Sequence, residues 1–205
     1  ILYVDTPGGS VFASDELYLK IKEYQKKTKR PVYASMQSMA ASGGYYMSCS
    51  ANWIVAEPTT LTGSIGIFGM FPDMSGLVTQ KLGVKFDEVK TNKNSAFGTM
   101  ARPFSEEEMA YLSSYISRGY SLFRQRVADG RHMSVDAVEK VAQGHVWVGQ
   151  DALKIKLVDQ LGGLDDAVAK AAKLAKLDEY YTASYPGKAD WLDQFTSAMS
   201  SGSYI

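Results

Sequence analysis

Ser42 has the sequence surroundings that a nucleophilic serine needs. It follows a strand-like segment, with two alanines before it and two glycines after it in the run 40–44. Small neighbours let a substrate carbonyl approach the hydroxyl. A helix starting here would bring Oγ near the positive end of a helix dipole. Tight packing of a helix on a sheet would produce the same pattern, so this run by itself leaves both interpretations open.

A pair of glycines at positions 8 and 9 could supply backbone donors. The segment 5–10, Asp-Thr-Pro-Gly-Gly-Ser, follows the apolar run 1–4, which is typical of a turn after a strand. Sites in α/β proteins commonly lie at the carboxyl ends of strands. Free N–H groups there could form half of an oxyanion hole. An ordinary glycine turn is the alternative interpretation.

A serine nucleophile also needs a general base. The chain has two histidines, His132 and His145, both in segments that suggest packing, and neither forms an Asp-x-His pattern. A lysine can serve instead if burial lowers its pKa enough to leave the amine neutral. Lys90 and Lys93 lie in a polar loop after a predicted strand and are candidates. Solvated loop lysines are the alternative for both.

Composition excludes several classes of protein. The 205 residues are 45% hydrophobic, enough for a core, and the 22 basic residues equal the 22 acidic ones, unlike the basic surplus of a nucleic-acid binder. The single Cys49 cannot form an internal disulfide, and with two histidines it gives no zinc-site spacing. The most apolar stretch, 61–71, is shorter than the roughly 20 residues of a spanning helix. Because the chain opens without Met in a strand-like run, we expect upstream residues, and any membrane anchor, to be missing.

Strand-like and helix-like segments alternate along the chain. Hydrophobic patterning predicts strands at 1–4, 32–36, 53–56, 61–68, 84–89 and 146–148. Capping residues and helical spacing predict helices from Ser14 to about 30, from about 42, and at 74–82, 105–128, 134–143 and 164–177. The β-α-β alternation indicates an α/β layered domain with a largely parallel sheet.

Three motifs in order, at 5–10, 38–46 and 60–66, resemble the signal peptide peptidase A (protease IV) family. These are bacterial serine peptidases with a Clp-protease/crotonase-like fold, a layered β-α-β spiral with a mostly parallel sheet. Further agreement comes from the segments at 128–132, 144–152 and 157–162. The resemblance covers residues 1 to about 180, which we expect to form the peptidase domain, and leaves 181–205 as a tail.

The resemblance implies a role for five residues. Ser42 matches the nucleophile of a Ser-Lys dyad. Gly9 matches one oxyanion-hole donor, and the N–H of Gly43, or that of Ser42 itself, matches the other. Ser64 matches the serine that orients the general-base lysine, and Lys93 best matches that lysine.

The resemblance also implies a substrate and a location. Extended apolar peptides, such as cleaved signal peptides, would pair with the backbone near 9–12 and 66–70, with Gly8, Ser10 and Val11 among the binding residues. No metal or organic cofactor is implied. The family's location is the bacterial inner membrane, with the catalytic domain on the periplasmic or extracytoplasmic side. A homo-oligomer is expected, in which the tail aromatics Trp191 and Phe195 could contact a neighbour.

Two further alternatives remain at this stage. Long members of the family carry two copies of the domain, with the serine in the second copy and the lysine in the first. The downstream motifs here look most like the second copy, so either Lys93 or a lysine outside this chain could be the base. The domain could then be a half-site that supplies only the serine. A crotonase-type acyl-CoA enzyme would use the same glycine-based oxyanion hole, although no acidic residue stands beside the glycine-rich stretches.

Overall fold

The computed structural model describes residues 1–185 and Gly187. The chain divides into two compact units, Ile1–Ala171 and Ala172–Ile205. The strands are β1 Leu2–Thr6, β2 Tyr33–Ala41, β3 Trp53–Ala56, β4 Leu61–Gly63, β5 Val146–Val148 and β6 Gln160–Leu161. The helices are α1 Val11–Thr28, α2 Gly43–Ser48, α3 Glu106–Arg131, α4 Val135–Glu139, α5 Gly149–Lys154 and α6 Leu164–Ala175, with a π-helix at Gly76–Lys81. Trp191 and Phe195 lie outside the described residues.

The long strand β2 is the centre of the sheet. The strand order is β5-β4-β2-β3-β6, and β1 also pairs with β2. β1, β3 and β4 all run parallel to β2, and β6 runs parallel to β3, whereas β5 is antiparallel to β4. The predicted α/β class with a mostly parallel sheet is confirmed.

β2 extends further than its sequence pattern predicts. The prediction ended this strand at Met36, but Ala40 pairs with both Thr6 of β1 and Thr62 of β4. These two neighbours keep the chain extended as far as Ala41. Ser42 therefore comes directly after a strand that is held on both sides.

The first helix begins directly after the glycine turn. The prediction of Ser14 as its N-cap is wrong, because the Ser10 side chain accepts a hydrogen bond from the Ala13 N–H and α1 starts at Val11. Ser14 is buried inside the first turn, where its hydroxyl donates to the Ser10 carbonyl at 2.9 Å. The turn 5–10 is thus fixed between β1 and a helix with no spacer on either side.

Two buried tyrosines fasten α2 to the core. The Tyr46 ring lies 4.5 Å from that of Phe123 on α3, and its hydroxyl donates to Asp15 on α1 at 2.8 Å. The Tyr45 hydroxyl donates to the Leu157 carbonyl at 2.9 Å. Burial raises the pKa of both phenols above the ordinary value, so both remain neutral donors. The short helix after Ser42 is therefore held from several directions.

Helix α3 begins where the sequence predicts. Ser105 and Glu108 form a reciprocal capping box, each side chain binding the other's backbone N–H. Glu108 also pairs with Arg102, at 2.7 Å from Nη1. The helix continues to Arg131, beyond the predicted end near Ala128, and His132 caps it in a left-handed conformation with φ of 54°.

Residues 68–104, which we call the exposed segment, differ most from the sequence prediction. β4 ends at Gly63 and not at Phe68, because Ser64 adopts a left-handed φ of 48°. The predicted strand at 84–89 is wrong: these residues form no strand and are all exposed. The predicted helix at 74–82 is a π-helix at Gly76–Lys81 with no buried residue. An alternating pattern predicts a strand only if a partner strand lies beside it, and none does so here among the described residues.

Candidate active site

Ser42 occupies a strained position between β2 and α2. Its φ of 51° and ψ of −116° lie outside the regions that residues with a side chain favour. The Ser42 N–H donates to the Gly63 carbonyl at 2.9 Å, and the Ser42 carbonyl accepts from the Tyr46 N–H at 2.8 Å. Such strain persists only where the surroundings enforce it, and it concentrates at functional sites. The junction turns the chain sharply at the serine that the sequence indicates as a nucleophile.

The glycine turn packs directly against this junction. A Cβ on Gly8, whose φ is 108°, would lie 2.6 Å from the Gly43 nitrogen and 2.8 Å from the Ser42 Cβ. A Cβ on Gly43 would lie 2.5 Å from the Ser14 hydroxyl oxygen and 3.2 Å from the Gly9 nitrogen. Only glycines permit this approach, and it brings the backbone N–H groups of Gly9 and Gly43 close together. The Gly9 N–H has no hydrogen-bond partner within the described residues.

An open cavity of about 720 Å³ lies beside Ser42. Ser42 and Ser64 both line it, together with Gly8 and Gly9 from the glycine turn and Val11 at the start of α1. Gly43 does not line it, and Ser10 is engaged in capping α1. The structure therefore brings most of the residues singled out in the sequence to one cavity.

Ser64 is held at the edge of the cavity by its backbone. Its N–H donates to the His145 carbonyl at 2.8 Å, and its left-handed φ turns the chain away from β4. The side chain is half-buried, which leaves the hydroxyl accessible for a further partner.

Lys93 is not brought to the cavity. Its side chain is 80% exposed and pairs with Glu107 at the start of α3. The hydrogen bond from the Lys93 ammonium holds the pKa of Glu107 below its usual value. Lys90 instead pairs with Glu88 at 2.6 Å. Within the described part of the chain, no lysine lines the cavity that contains Ser42.

Neither histidine lines this cavity. His132 caps α3. The His145 ring packs against that of Trp147 at a tilt of 45°, with ring centroids 4.1 Å apart, and the His145 carbonyl accepts from the Ser64 N–H. The structure therefore offers no histidine to Ser42.

Several cavity residues were missed by sequence reasoning. The sequence predicts Ile116 and Tyr120 within the helix at 105–128 and Gln143 as the end of the helix at 134–143, and Gly144 begins the family segment at 144–152. All four line the cavity, as does Ser117. Periodicity does identify the side of α3 that carries Ile116 and Tyr120. Nothing in the sequence reveals that this side faces the glycine turn, which precedes it by about a hundred residues.

Residues 1–185 and Gly187 contain neither a candidate metal cluster nor a candidate membrane-spanning helix. No group of three or more His, Cys, Asp or Glu side chains comes together there in a way that could hold a metal ion. Among the helices of those residues, none combines the length and the apolar character needed to cross a bilayer.

Comparison with known proteins identifies the family. Residues 24–178 match the model of peptidase family S49. The chain is 43% identical over 199 residues to Protease 4 of Salmonella typhi, covering 97% of this chain and 32% of the relative. It is 44% identical over 177 residues to Protease 4 of Haemophilus influenzae, covering 85% of this chain and 28% of the relative.

A plant relative, the chloroplastic serine protease SPPA of Arabidopsis thaliana, is 41% identical over 178 residues, which cover 86% of this chain and 26% of the relative. The chain belongs to peptidase family S49, and the resemblance inferred from its motifs is confirmed. It spans about a third or less of the length of these three relatives.

Proposed function

We propose that this chain is the serine-bearing catalytic domain of a serine peptidase, with Ser42 as the nucleophile. The observation that carries the proposal is the close approach of the glycine turn to the Ser42 junction at the edge of an open cavity. Membership of a peptidase family and relatives named as proteases support it. By the same resemblance we propose the Clp-protease/crotonase-like spiral as the detailed form of the fold.

The proposed reaction has two halves. Ser42 Oγ attacks the peptide carbonyl carbon while a neutral lysine amine takes the hydroxyl proton. The N–H groups of Gly9 and Gly43 stabilise the negative oxygen of the tetrahedral intermediate. The C–N bond then breaks, and the lysine returns the proton to the leaving amine. Water releases the acyl group from Ser42 by the same steps, with the lysine again acting as the base.

The contacts of Lys93 favour a lysine that comes from elsewhere. The Lys93 side chain is 80% exposed, pairs with Glu107 and lies outside the cavity that contains Ser42. Lys93 would have to leave this pair and become buried before acting as a base. The two-copy arrangement of long family members suggests the other source, a lysine from another copy of the domain. Ser64, at the cavity edge, would orient the incoming amine.

We propose apolar peptides, such as cleaved signal peptides, as substrates. Val11, Ile67, Phe68 and Ile116 give the cavity an apolar lining, which suits apolar side chains. The expected backbone pairing at 9–12 does not extend to Val11 and Phe12, because both lie in helix α1. The substrate backbone would instead pair with the chain near 66–70, with Gly8, Ser10 and Val11 close to it. By the resemblance, the protein works as a homo-oligomer at the bacterial inner membrane, facing the extracytoplasmic side.

A fluorophosphonate probe tests the nucleophile. With the lysine-bearing copy of the domain present, we expect the probe to label Ser42 in the parent chain and to leave the Ser42→Ala variant unlabelled, as detected by peptide mass spectrometry. Ser114→Ala is the matched control, because Ser114 is exposed on α3 and absent from the cavity lining. Labelling of Ser42 no faster than that of Ser114 would contradict the proposal.

A further inference from the structure

Glu139, the last residue of α4, uses both of its carboxylate oxygens. Oε2 accepts from the Tyr120 hydroxyl at 2.8 Å and from Arg124 Nη1 at 2.7 Å. Oε1 accepts from Gln143 Nε2 at 2.9 Å. Glu139 does not line the cavity beside Ser42. It therefore joins α3 to the turn after α4 without contacting the cavity itself.

Two of the residues that Glu139 binds do line that cavity. Tyr120 and Gln143 are both part of its wall. The Tyr120 hydroxyl also accepts from the Gln143 backbone N–H at 3.1 Å, and the Arg124 guanidinium lies 4.7 Å from the centroid of the Tyr120 ring. These contacts hold the hydroxyl and one face of the Tyr120 ring, so the ring lines the cavity in a fixed orientation.

Backbone hydrogen bonds join the turn at 143–145 to the chain next to Ser64. The Gly144 N–H donates to the Ile65 carbonyl at 2.9 Å, and the Ser64 N–H donates to the His145 carbonyl at 2.8 Å. A Cβ on Gly66 would lie 2.8 Å from both the nitrogen and the Cα of Gly144. The two segments are in close backbone contact, and a displacement of one would move the other.

We propose that Glu139 is a positioning residue, which holds Tyr120, the 143–145 turn and, through that turn, Ser64 in place along the cavity. Hydrogen bonds to an ionised carboxylate are stronger than those between neutral groups, and a connected network is stiffer than its separate members. Glu139 thereby fixes the width of the cavity and selects among the side chains of a bound peptide. This inference rests on the proposed peptidase function and deepens it.

Glu139→Gln tests the role, because it keeps the volume but puts an NH₂ group opposite a donor. Glu23→Gln is the matched control: Glu23 also binds two partners, Lys20 and Lys27, but on the exposed surface of α1. Both changes are made in the Ser42→Ala chain, which cannot cleave its ligand. We measure the dissociation constants of two fluorescent peptides that are identical except at one position, which is leucine in one and alanine in the other. We also measure hydrogen exchange of the backbone amides.

We expect Glu139→Gln to change the ratio of the two dissociation constants at least fivefold. Amide exchange at 64–66 and 143–145 should accelerate about tenfold. Glu23→Gln should leave both within twofold of the Ser42→Ala chain. Tyr120→Phe, which removes only the linking hydroxyl, should shift the ratio in the same direction as Glu139→Gln.

An unchanged ratio, or an equal weakening of both peptides with faster exchange throughout the chain, would overturn the positioning role. Failure of the proposed function gives a different result. In that case the fluorophosphonate probe would not label Ser42 in the parent chain, although the peptides would still bind. If the chain bound neither peptide, the positioning role and the proposed function would both be overturned.

Discussion

The junction around Ser42 and the exposed segment are built in opposite ways. At the junction, glycines and buried tyrosines pack so closely that a single added carbon would collide with backbone. In the exposed segment, Val89 is 98% exposed, Phe68 89% and Met70 83%. Backbone contacts within this chain hold Ser42, the proposed nucleophile, beside Gly9 and Gly43, the proposed oxyanion donors. In the segment that carries Lys93, by contrast, most large apolar side chains are exposed. The two parts of the proposed dyad therefore differ in what positions them.

The largest expected effect comes from two phenylalanines, one in each region. Phe123→Ala removes a ring buried under Tyr46 and should lower the free energy of unfolding by about 3–5 kcal/mol. Phe68→Ala removes an exposed ring and should change it by less than about 0.5 kcal/mol. Urea unfolding of the two variants measures the difference. Equal losses would show that the segment is packed as firmly as the junction.

A pair of glycines gives the next effect. Gly8→Ala forces a Cβ against the Gly43 nitrogen at a φ of 108°. This change should lower the free energy of unfolding by about 1–3 kcal/mol and slow the labelling of Ser42 at least a hundredfold. Gly98→Ala is the control in the exposed segment, where φ is 77° and no atom lies within 4 Å of the added carbon. Gly98→Ala should lower the free energy of unfolding but leave the rate of Ser42 labelling unchanged. If Gly8→Ala were labelled at the rate of the parent, the glycine turn would not be part of the oxyanion hole.

The contact between Glu108 and Arg102 provides a pH-dependent effect at the end of the exposed segment. The hydrogen bond from Arg102 lowers the pKa of Glu108 from 4.5 to about 2. Because this pKa is depressed in the folded state, the stabilisation is complete above about pH 4.5 and declines as the pH falls towards 2. Urea unfolding between pH 6 and pH 3 should show a steeper decline for the parent than for Glu108→Gln. Identical slopes would exclude a contribution from Glu108.

The smallest effect is expected for Lys93. Because Lys93 is exposed and paired with Glu107, Lys93→Ala should leave the rate of Ser42 labelling within twofold of the parent. Lys93→Arg keeps the charge but cannot act as a base, and should behave alike. A tenfold loss in both variants, with unchanged unfolding, would instead return the role of general base to Lys93.

The sequence predicted correctly those strands and helix ends that depend on interactions between residues close together in the chain. The strand Trp53–Ala56, the strand Val146–Val148 and the start of α3 all lie where patterning and capping predict them. The failure at 84–89 has the opposite cause, since a strand also needs a neighbour that the pattern cannot supply. Ser42 and Gly9 could be singled out because their surroundings are contiguous in sequence. Tyr120 and Gln143 could not, because they reach the cavity only through tertiary packing.

The strained backbone at Ser42 has an evolutionary consequence. Glycine adopts a positive φ freely, whereas a residue with a side chain pays about 1–2 kcal/mol for it. A Ser42→Gly change would therefore make the domain more stable while removing the hydroxyl. Copies no longer selected for the proposed catalysis would gain stability by losing the Ser42 hydroxyl, so an inactive descendant of this domain should carry glycine at this position more often than alanine.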